Sequence, residues 1–259
     1  MATIIWRAED RRDESVESIE AMMPVERAVR ISLSGKELAR LHCTPDHLEE
    51  LATGFLLGQG ICSSRDDIVS IKVGSDNEKV DITLADNARV MTEKSQATVI
   101  YSGCGQGPGV AAATAGPSHT LESIDSFRTA DLKHGLREVL GKGDAYRATR
   151  GMHSAGLLSR AGRLLCHRED VGRHNALDKV LGWAAGQCLE PGKLFAASSG
   201  RISVDAVMKL ARFRVPLMIS KGVPTSLALE RAEEAGLTLT GTVGGGALRV
   251  YTHSNRVEG

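Results

Sequence analysis

Cys104 stands in Ser102-Gly103-Cys104-Gly105-Gln106-Gly107-Pro108-Gly109, one thiol among four glycines directly after the apolar run Ala97 to Tyr101. That run reads as a short strand and Val110 to Ala115 can open a helix, which puts the thiol at a strand-to-helix turn. Glycine allows positive φ and close approach of backbone to a ligand, and a helix N-terminus stabilises a thiolate. Cys104 is therefore either an activated nucleophile or a small buried apolar residue beside a floppy loop. The glycines weigh toward the nucleophile.

The densest polar constellation is His167-Arg168-Glu169-Asp170-Val171-Gly172-Arg173-His174-Asn175-Ala176-Leu177-Asp178-Lys179. A helix starting after Asp170 or Gly172 would carry Arg173 and His174 in its first turn, where cations oppose the helix dipole. They make better sense there facing carboxylates or phosphates than facing water. A salt-bridged surface helix start is the plainer alternative. Ser199-Gly200-Arg201 and Lys221 add small residues and cations at strand ends, a combination that suits phosphate binding. Val243-Gly244-Gly245-Gly246-Ala247 is either a flexible hairpin loop or a backbone cradle for a bulky ligand. His167-Arg168-Glu169 imitates the H-x-E of zinc deaminases, but no P-C-x-x-C partner occurs, so no metal site is expected. No Walker loop or G-x-G-x-x-G turn is present either. The residues alone thus leave thiol-based group transfer or a ligand carrier beside an anion site.

The whole chain narrows the setting. It has 259 residues, enough for one large or two smaller cores. Lysine plus arginine and aspartate plus glutamate each total 32, and aromatic residues make up 3%, which argues against nucleic acid or an anionic membrane as partner. Cys43, Cys62, Cys104, Cys166 and Cys188 are odd in number and widely spaced. With no secretory signal or long apolar span, a reducing cytoplasm is expected, and any thiol chemistry rests on single cysteines.

Residues 1–23, with the run Glu9-Asp10-Arg11-Arg12-Asp13-Glu14, read as a weakly ordered arm. Residues 24–96 read as a small α+β domain. It holds a hairpin from Val29 to Cys43, a helix with Thr44 as N-cap and Pro45 at its first position, and strands at Ile68 to Val73 and Val80 to Leu84. Residues 97–259 alternate as an α/β domain carrying the Cys104 loop. Its expected parts are a helix ending at Gly141, a hairpin over Ala155 to Cys166, and strands Leu194 to Ser198, Leu217 to Ser220, Leu237 to Thr240 and Leu248 to Thr252. Helices are expected over Val204 to Phe213, capped by Ser203, and over Ser226 to Ala235. His153 precedes a strand where a site can form, although a hydrogen-bonded structural histidine is the ordinary reading.

Glu169-Asp170-Val171-Gly172-Arg173-His174-Asn175-Ala176-Leu177-Asp178-Lys179, with Ser199-Gly200-Arg201 and Thr53-Gly54-Phe55-Leu56-Leu57, resembles the FdhD/NarQ family of formate dehydrogenase accessory proteins, over about Val25 to Thr252. The resemblance implies a cytidine-deaminase-like layered α/β domain, without deaminase zinc ligands, after the smaller α+β domain. It implies a sulfurtransferase that takes persulfide sulfur from a cysteine desulfurase and passes it to the bis(molybdopterin guanine dinucleotide) molybdenum cofactor for formate dehydrogenase. A homodimer is implied as well. Cys104 matches the first cysteine of the family's C-G-x-C-G loop and would be the sulfur acceptor. Thr242-Val243-Gly244-Gly245-Gly246-Ala247-Leu248 matches the C-terminal cofactor-binding segment, and Arg173, His174, Ser199, Arg201 and Lys221 are expected contacts to phosphates or guanine. The sequence departs from the family pattern at Gly107, in place of the second loop cysteine, at Gln59, where glutamate is common, and at Gly244, where arginine is common. A non-enzymatic chaperone that binds and delivers the same cofactor is the alternative.

Overall fold

The computed structural model describes residues 2–12, 15–85, 100–102, 121 and 125–259. Its first element corrects the expectation of a weakly ordered arm. β1 (Thr3–Arg12) and β2 (Ser15–Pro24) form an antiparallel ribbon in which Thr3 faces Pro24 and Arg12 faces Ser15. The charged run hides a period of two: Ile4, Trp6 and Ala8 share one face with their partners Met23, Ala21 and Ile19, and on the other face Arg7 lies across from Glu20. Ile5 and Trp6 stay 66% and 62% exposed.

A five-stranded sheet follows, in the order β5-β6-β3-β4-β7, from β3 (Arg27–Leu33), β4 (Lys36–Cys43), β5 (Ile68–Val73), β6 (Lys79–Leu84) and β7 (Ile100–Ser102). Alternate residues of β3, β4 and β6, namely Val29, Ile31, Ala39, Leu41, Val80 and Ile82, pack on α1 (Leu48–Gly58) through Leu51, Phe55 and Leu56. The expected N-cap of this helix is displaced. Thr44 Oγ1 instead accepts from Val171 N–H at 3.3 Å and Thr44 N–H donates to Asp170 Oδ2 at 3.1 Å, so the helix begins only after His47, which turns in the left-handed region. β7 was expected to open the second domain. It pairs in parallel with β4, Leu41 against Ser102, and so belongs to the first sheet.

The second sheet has six strands in the order β10-β9-β11-β12-β13-β14. They are β9 (His153–Ser159), β10 (Leu164–Asp170), β11 (Leu194–Ser198), β12 (Leu217–Ser220), β13 (Thr238–Thr242) and β14 (Leu248–Val250). β11, β12 and β13 run parallel, and β9 and β14 flank them antiparallel. Two short strands, β8 (Phe127–Arg128) and β15 (Val257–Glu258), pair separately. Successive residues of β11 and β12 face opposite cores. Phe195, Ala197, Leu217 and Ile219 meet Leu132, Leu136 and Val139 of α2 (Thr129–Gly141). Leu194, Ala196 and Met218 share the other core with α4 (Arg173–Ala185), α5 (Val204–Arg212) and α6 (Ser226–Ala235). Helices thus cover both faces, as continuous apolar parallel strands require. The remaining helix, α3 (Asp144–Thr149), is short. Among the described residues no helix is long and apolar enough to cross a membrane.

α4 joins the two halves: it is buried from Asn175 to Gly182 and runs between the second sheet and α1. The helices touch backbone to backbone. A Cβ on Gly54 would stand 1.9 Å from the Asp178 carbonyl oxygen, and one on Gly182 would stand 1.8 Å from that of Glu50. Alanine at either place forces the helices apart. Gly54→Ala is expected to lower the free energy of unfolding by at least about 3 kcal/mol in urea titrations, because backbone cannot yield as a side chain can. Gly192→Ala, whose Cβ would meet nothing within 4 Å, is the control and should leave stability within about 0.5 kcal/mol.

Candidate functional site

Parallel order puts the carboxyl ends of β11, β12 and β13 on one edge. β10 points the same way, being antiparallel to β9 as β9 is to β11, so its end and the start of β9 at His153 lie on that edge too. α4, α5 and α6 each begin just after β10, β11 and β12. Three helix N-termini therefore gather where an open α/β sheet presents its ligand crevice.

Glycines let this edge close up. A Cβ on Gly200 would stand 2.9 Å from Arg173 Cβ, and one on Gly222 would stand 2.7 Å from the Gly200 carbonyl oxygen. Serines fix the turns: Ser198 Oγ accepts from Gly200 N–H at 3.1 Å, and Ser220 Oγ accepts from Gly222 N–H at 3.1 Å. Arg173 is the first residue of α4, and its Nε is enclosed with no partner among the described residues. Arg201 and Lys221 are exposed beyond β11 and β12, without an ion-pair partner among the described residues. Thr242 ends β13, and Val243 to Ala247 close a tight hairpin loop, Val243 N–H donating to Ala247 O at 3.0 Å, with Gly245 and Gly246 at φ of 75° and 74°. Leu248 pairs back with Thr242. This loop is exposed at the same edge.

The carboxylates of the edge are already engaged. Asp170 Oδ2 takes Thr44 N–H and lies 2.7 Å from Lys179 Nζ, while Oδ1 takes Gly172 N–H at 2.8 Å and Asn175 Nδ2 at 3.0 Å. Lys179 is fully buried and also donates to Thr44 O at 3.0 Å and Asp46 Oδ1 at 2.6 Å. A second buried cation, Lys209, bonds Asp178 Oδ2 at 2.6 Å and pairs with Asp205 Oδ2 at 3.1 Å; Gln59 Nε2 donates to Asp205 Oδ1 at 3.1 Å. Burial pushes the Asp178 carboxyl up to about 7 against the pull of Lys209. Each of these four carboxylates is tied to a buried lysine, although Asp178 Oδ1 is enclosed with no partner among the described residues, and the exposed charges where β11 and β12 end are those of Arg201 and Lys221.

Arg173, Ser199, Arg201, Lys221 and the Thr242 to Leu248 loop all lie at this edge of the sheet. His174 differs in what it can do. Its Nε2 is 2.8 Å from Ser203 Oγ, the N-cap of α5, and its Nδ1 is 3.8 Å from Asp205 Oδ2. With both nitrogens turned inward, it braces α4 against α5. Cys104 lies outside the described residues. Of the other cysteines, Cys43, Cys62 and Cys166 are buried and Cys188 is exposed. The H-x-E segment is structural: Glu169 accepts from Ala145 and Tyr146 N–H at 2.9 and 2.8 Å, and Arg168 forks onto Glu50 with two bonds of 2.6 Å. Among the described residues no three His, Cys, Asp or Glu side chains are grouped to hold a metal ion. Sequence reasoning missed Asp46, Lys209 and Asp205 as members of these networks, and marked Gln59 only as a departure from the family pattern. The signal was the alternation of charged and apolar residues along α4, but their partners lie far off in the chain.

An α/β protein with cations and glycine-rich turns at its strand ends is the class these features define. The sequence profile of the FdhD/NarQ family matches residues 24–258, and the chain belongs to that family. It is 31% identical over 258 residues to the sulfur carrier protein FdhD of Bacillus subtilis, covering 98% of this chain and 96% of that one. It is 34% identical over 248 residues to the protein of the same name from Nocardia farcinica, covering 91% and 88%. A crystal structure from Desulfotalea psychrophila, described as a formate dehydrogenase accessory protein, shares the fold, with a TM-score of 0.79 at 24% identity over 100% of both chains.

Burial pushes the His174 imidazole down to about 4, with Lys209 and Arg173 adding to the shift and Asp205 opposing it. The folded value lies below the ordinary 6.5, so this residue's stabilisation is complete above pH 6.5 and is lost as pH falls toward about 4. Its share is about 2 kcal/mol after discounting for the partly exposed ring. Urea midpoints should fall through that interval, and less steeply in His174→Gln. An NMR titration of His174 with a midpoint near 6.5 would contradict this.

Proposed function

We propose that this protein is a persulfide-carrying sulfurtransferase. The Cys104 thiolate attacks the outer sulfur of a cysteine desulfurase persulfide, forming a new S–S bond as the desulfurase thiolate leaves. The outer sulfur then passes to the bis(molybdopterin guanine dinucleotide) molybdenum cofactor, held as substrate at the cationic edge before it enters formate dehydrogenase: the S–S bond on Cys104 breaks, Cys104 leaves as thiolate, and the two electrons that take the sulfane sulfur to sulfide come from the reduced metal centre of that substrate. Arg173, Arg201, Lys221 and the Thr242 to Leu248 loop are the contacts offered to its phosphates and guanine. On the same reading the protein works in the cytoplasm as a homodimer, and the unit on the six-stranded sheet is the cytidine-deaminase-like layer.

The observation that carries this reading is the distribution of thiols. Burial pushes Cys62 up to about 11 and Cys166 up to about 12, and raises Cys43 further with the help of the nearby Asp170 charge. None of the three is a thiolate at neutral pH. Cys188 is exposed but follows the carboxyl end of α4, a helix of 13 residues and so about 20 Å from the Arg173 end. Cys104 is two residues past Ser102, the carboxyl end of β7. That strand runs beside β4, whose own end is tied by Thr44 to Asp170 at the start of α4. The names of the curated relatives as sulfur carriers support the same assignment. With Gly107 in the loop, transfer proceeds without an internal disulfide.

After incubation with a cysteine desulfurase and cysteine, peptide mass spectrometry is expected to find one added sulfur on Cys104 and none on Cys188. Cys104→Ala is expected to abolish rescue of formate dehydrogenase activity in a strain lacking this protein, and Cys188→Ala to preserve it. Full rescue by Cys104→Ala would instead make the protein a cofactor chaperone without thiol chemistry.

A further inference from the structure

Two of the side chains offered to a ligand by sequence are engaged with protein instead, and the way one of them is engaged points to a residue the pattern left aside. His174 is closed off between Ser203 and Asp205. Ser199 Oγ accepts from Ser154 N–H at 3.0 Å and stands 3.3 Å from His153 Nδ1. With one lone pair of the hydroxyl oxygen taken by the backbone amide, the arrangement that uses its proton directs it at Nδ1, leaving that nitrogen the acceptor of a neutral ring. This assignment puts the ring proton of His153 on Nε2. Burial and the neighbouring Arg173 lower its basicity, against a smaller opposing effect of Asp170.

The Nε2 of this ring has no partner among the described residues and is not one of the enclosed nitrogens, while the residue as a whole is half-buried. His153 opens β9 on the edge where β11 ends, and Asp170 is its cross-strand partner on β10. Asp170 cannot receive the Nε2 proton, since Thr44, Gly172, Asn175 and Lys179 occupy its oxygens. Asp205 is likewise committed to Lys209, Gln59 and His174. What stands near the ring is the positive end of α4 with the unpartnered Arg173 Nε, and beyond it Arg201 and Lys221.

We propose that His153 is a ligand-contacting residue of this edge, its Nε2–H donating to an anionic oxygen of the substrate's diphosphate, and that Ser199 is its positioning residue rather than a contact. This rests on the reading above that a guanine dinucleotide binds at the edge. A neutral donor suits such a place. Arg173, Arg201 and Lys221 supply charge, and an imidazole with its proton on Nε2 adds direction without a further desolvated cation.

The test is isothermal titration of the full chain with guanosine diphosphate as probe, comparing wild type, His153→Gln, His153→Asn, Ser199→Ala and Arg201→Ala. A glutamine amide nitrogen replaces Nε2 and an asparagine amide replaces Nδ1. His153→Gln should stay within about threefold of wild type and His153→Asn should weaken binding at least about tenfold, the effect of one hydrogen bond to a charged group. In Ser199→Ala the imidazole nitrogen-15 shifts of His153 should move toward a tautomer mixture, with partial loss of affinity. Binding kept by His153→Asn but lost by His153→Gln would make the ring a structural partner of Ser199 and overturn the proposal. Wild-type affinity in both His153 variants, with Arg201→Ala weakened, would overturn it while leaving the edge as the binding site. No binding by the wild type would remove the guanine dinucleotide reading, and His153's role with it.

Discussion

A buried ammonium sets the geometry of this protein. Lys179 lies in the middle of α4 with no exposed surface, and an unpaired charge there would cost several kcal/mol of lost hydration. Its oxygens come from both halves: Thr44 O and Asp46 from the end of β4, Asp170 from the end of β10. Only one relative placement of the two sheets brings them together. The same placement lets Asp170 cap the start of α4 through Gly172 and Asn175, and Asn175 reaches across to the His42 carbonyl at 2.7 Å. The electrostatic requirement of one side chain thus fixes the position of Arg173 and of the edge it serves.

The second buried cation repeats the arrangement at the neighbouring residue of α4, Asp178. Lys209 of α5 meets Asp178 of α4 and Asp205 of its own helix, and Gln59 at the end of α1 completes Asp205. The amide at 59 matters chemically. It donates to a carboxylate, whereas a glutamate there would place a second anion against Asp205 unless protonated. Both clusters cross the α1–α4 contact, where Gly54 and Gly182 bring the backbones together. Close approach and charge pairing reinforce each other: the helices meet tightly enough that water cannot substitute for the partners.

Much of the second sheet was legible because its signals are local. Strands Leu194–Ser198 and Leu217–Ser220 are continuous apolar runs, and α5 and α6 begin at Ser203 and Thr225, whose hydroxyls accept from Ala206 and Ala228 N–H. β13 begins one residue later than its apolar pattern, since Leu237 N–H closes α6 on Ala232 O. What escaped depends on distant chain. Thr44 and Pro45 look like a helix start until Asp170, 126 residues away, claims the Thr44 amide. The ribbon of β1 and β2 escaped because a linear reading counts its charges as a solvated run, whereas the register that sets Ile4, Trp6 and Ala8 against Met23, Ala21 and Ile19, and Arg7 against Glu20, comes from the partner strand. At the site, cation positions were readable from strand ends, but the inward turn of His174 was not, because Ser203 and Asp205 enter from another helix.

The same packing decides which thiols can react. Cys43 ends β4, one residue before Thr44, which is tied to Asp170 at that edge, and would be a natural competitor for any sulfur arriving there. It is fully buried, and its basicity is raised by burial and by Asp170, with Lys179 offsetting only part. Burial, reinforced by the carboxylate that aligns α4, keeps the adjacent thiol protonated. A carrier that must hold sulfur on one cysteine and release it to one acceptor gains selectivity from that suppression, since a protonated, enclosed thiol can neither attack a persulfide nor be attacked in exchange. The packing that unites the sheets also silences this cysteine, first by enclosing it and then by setting the Asp170 charge beside it.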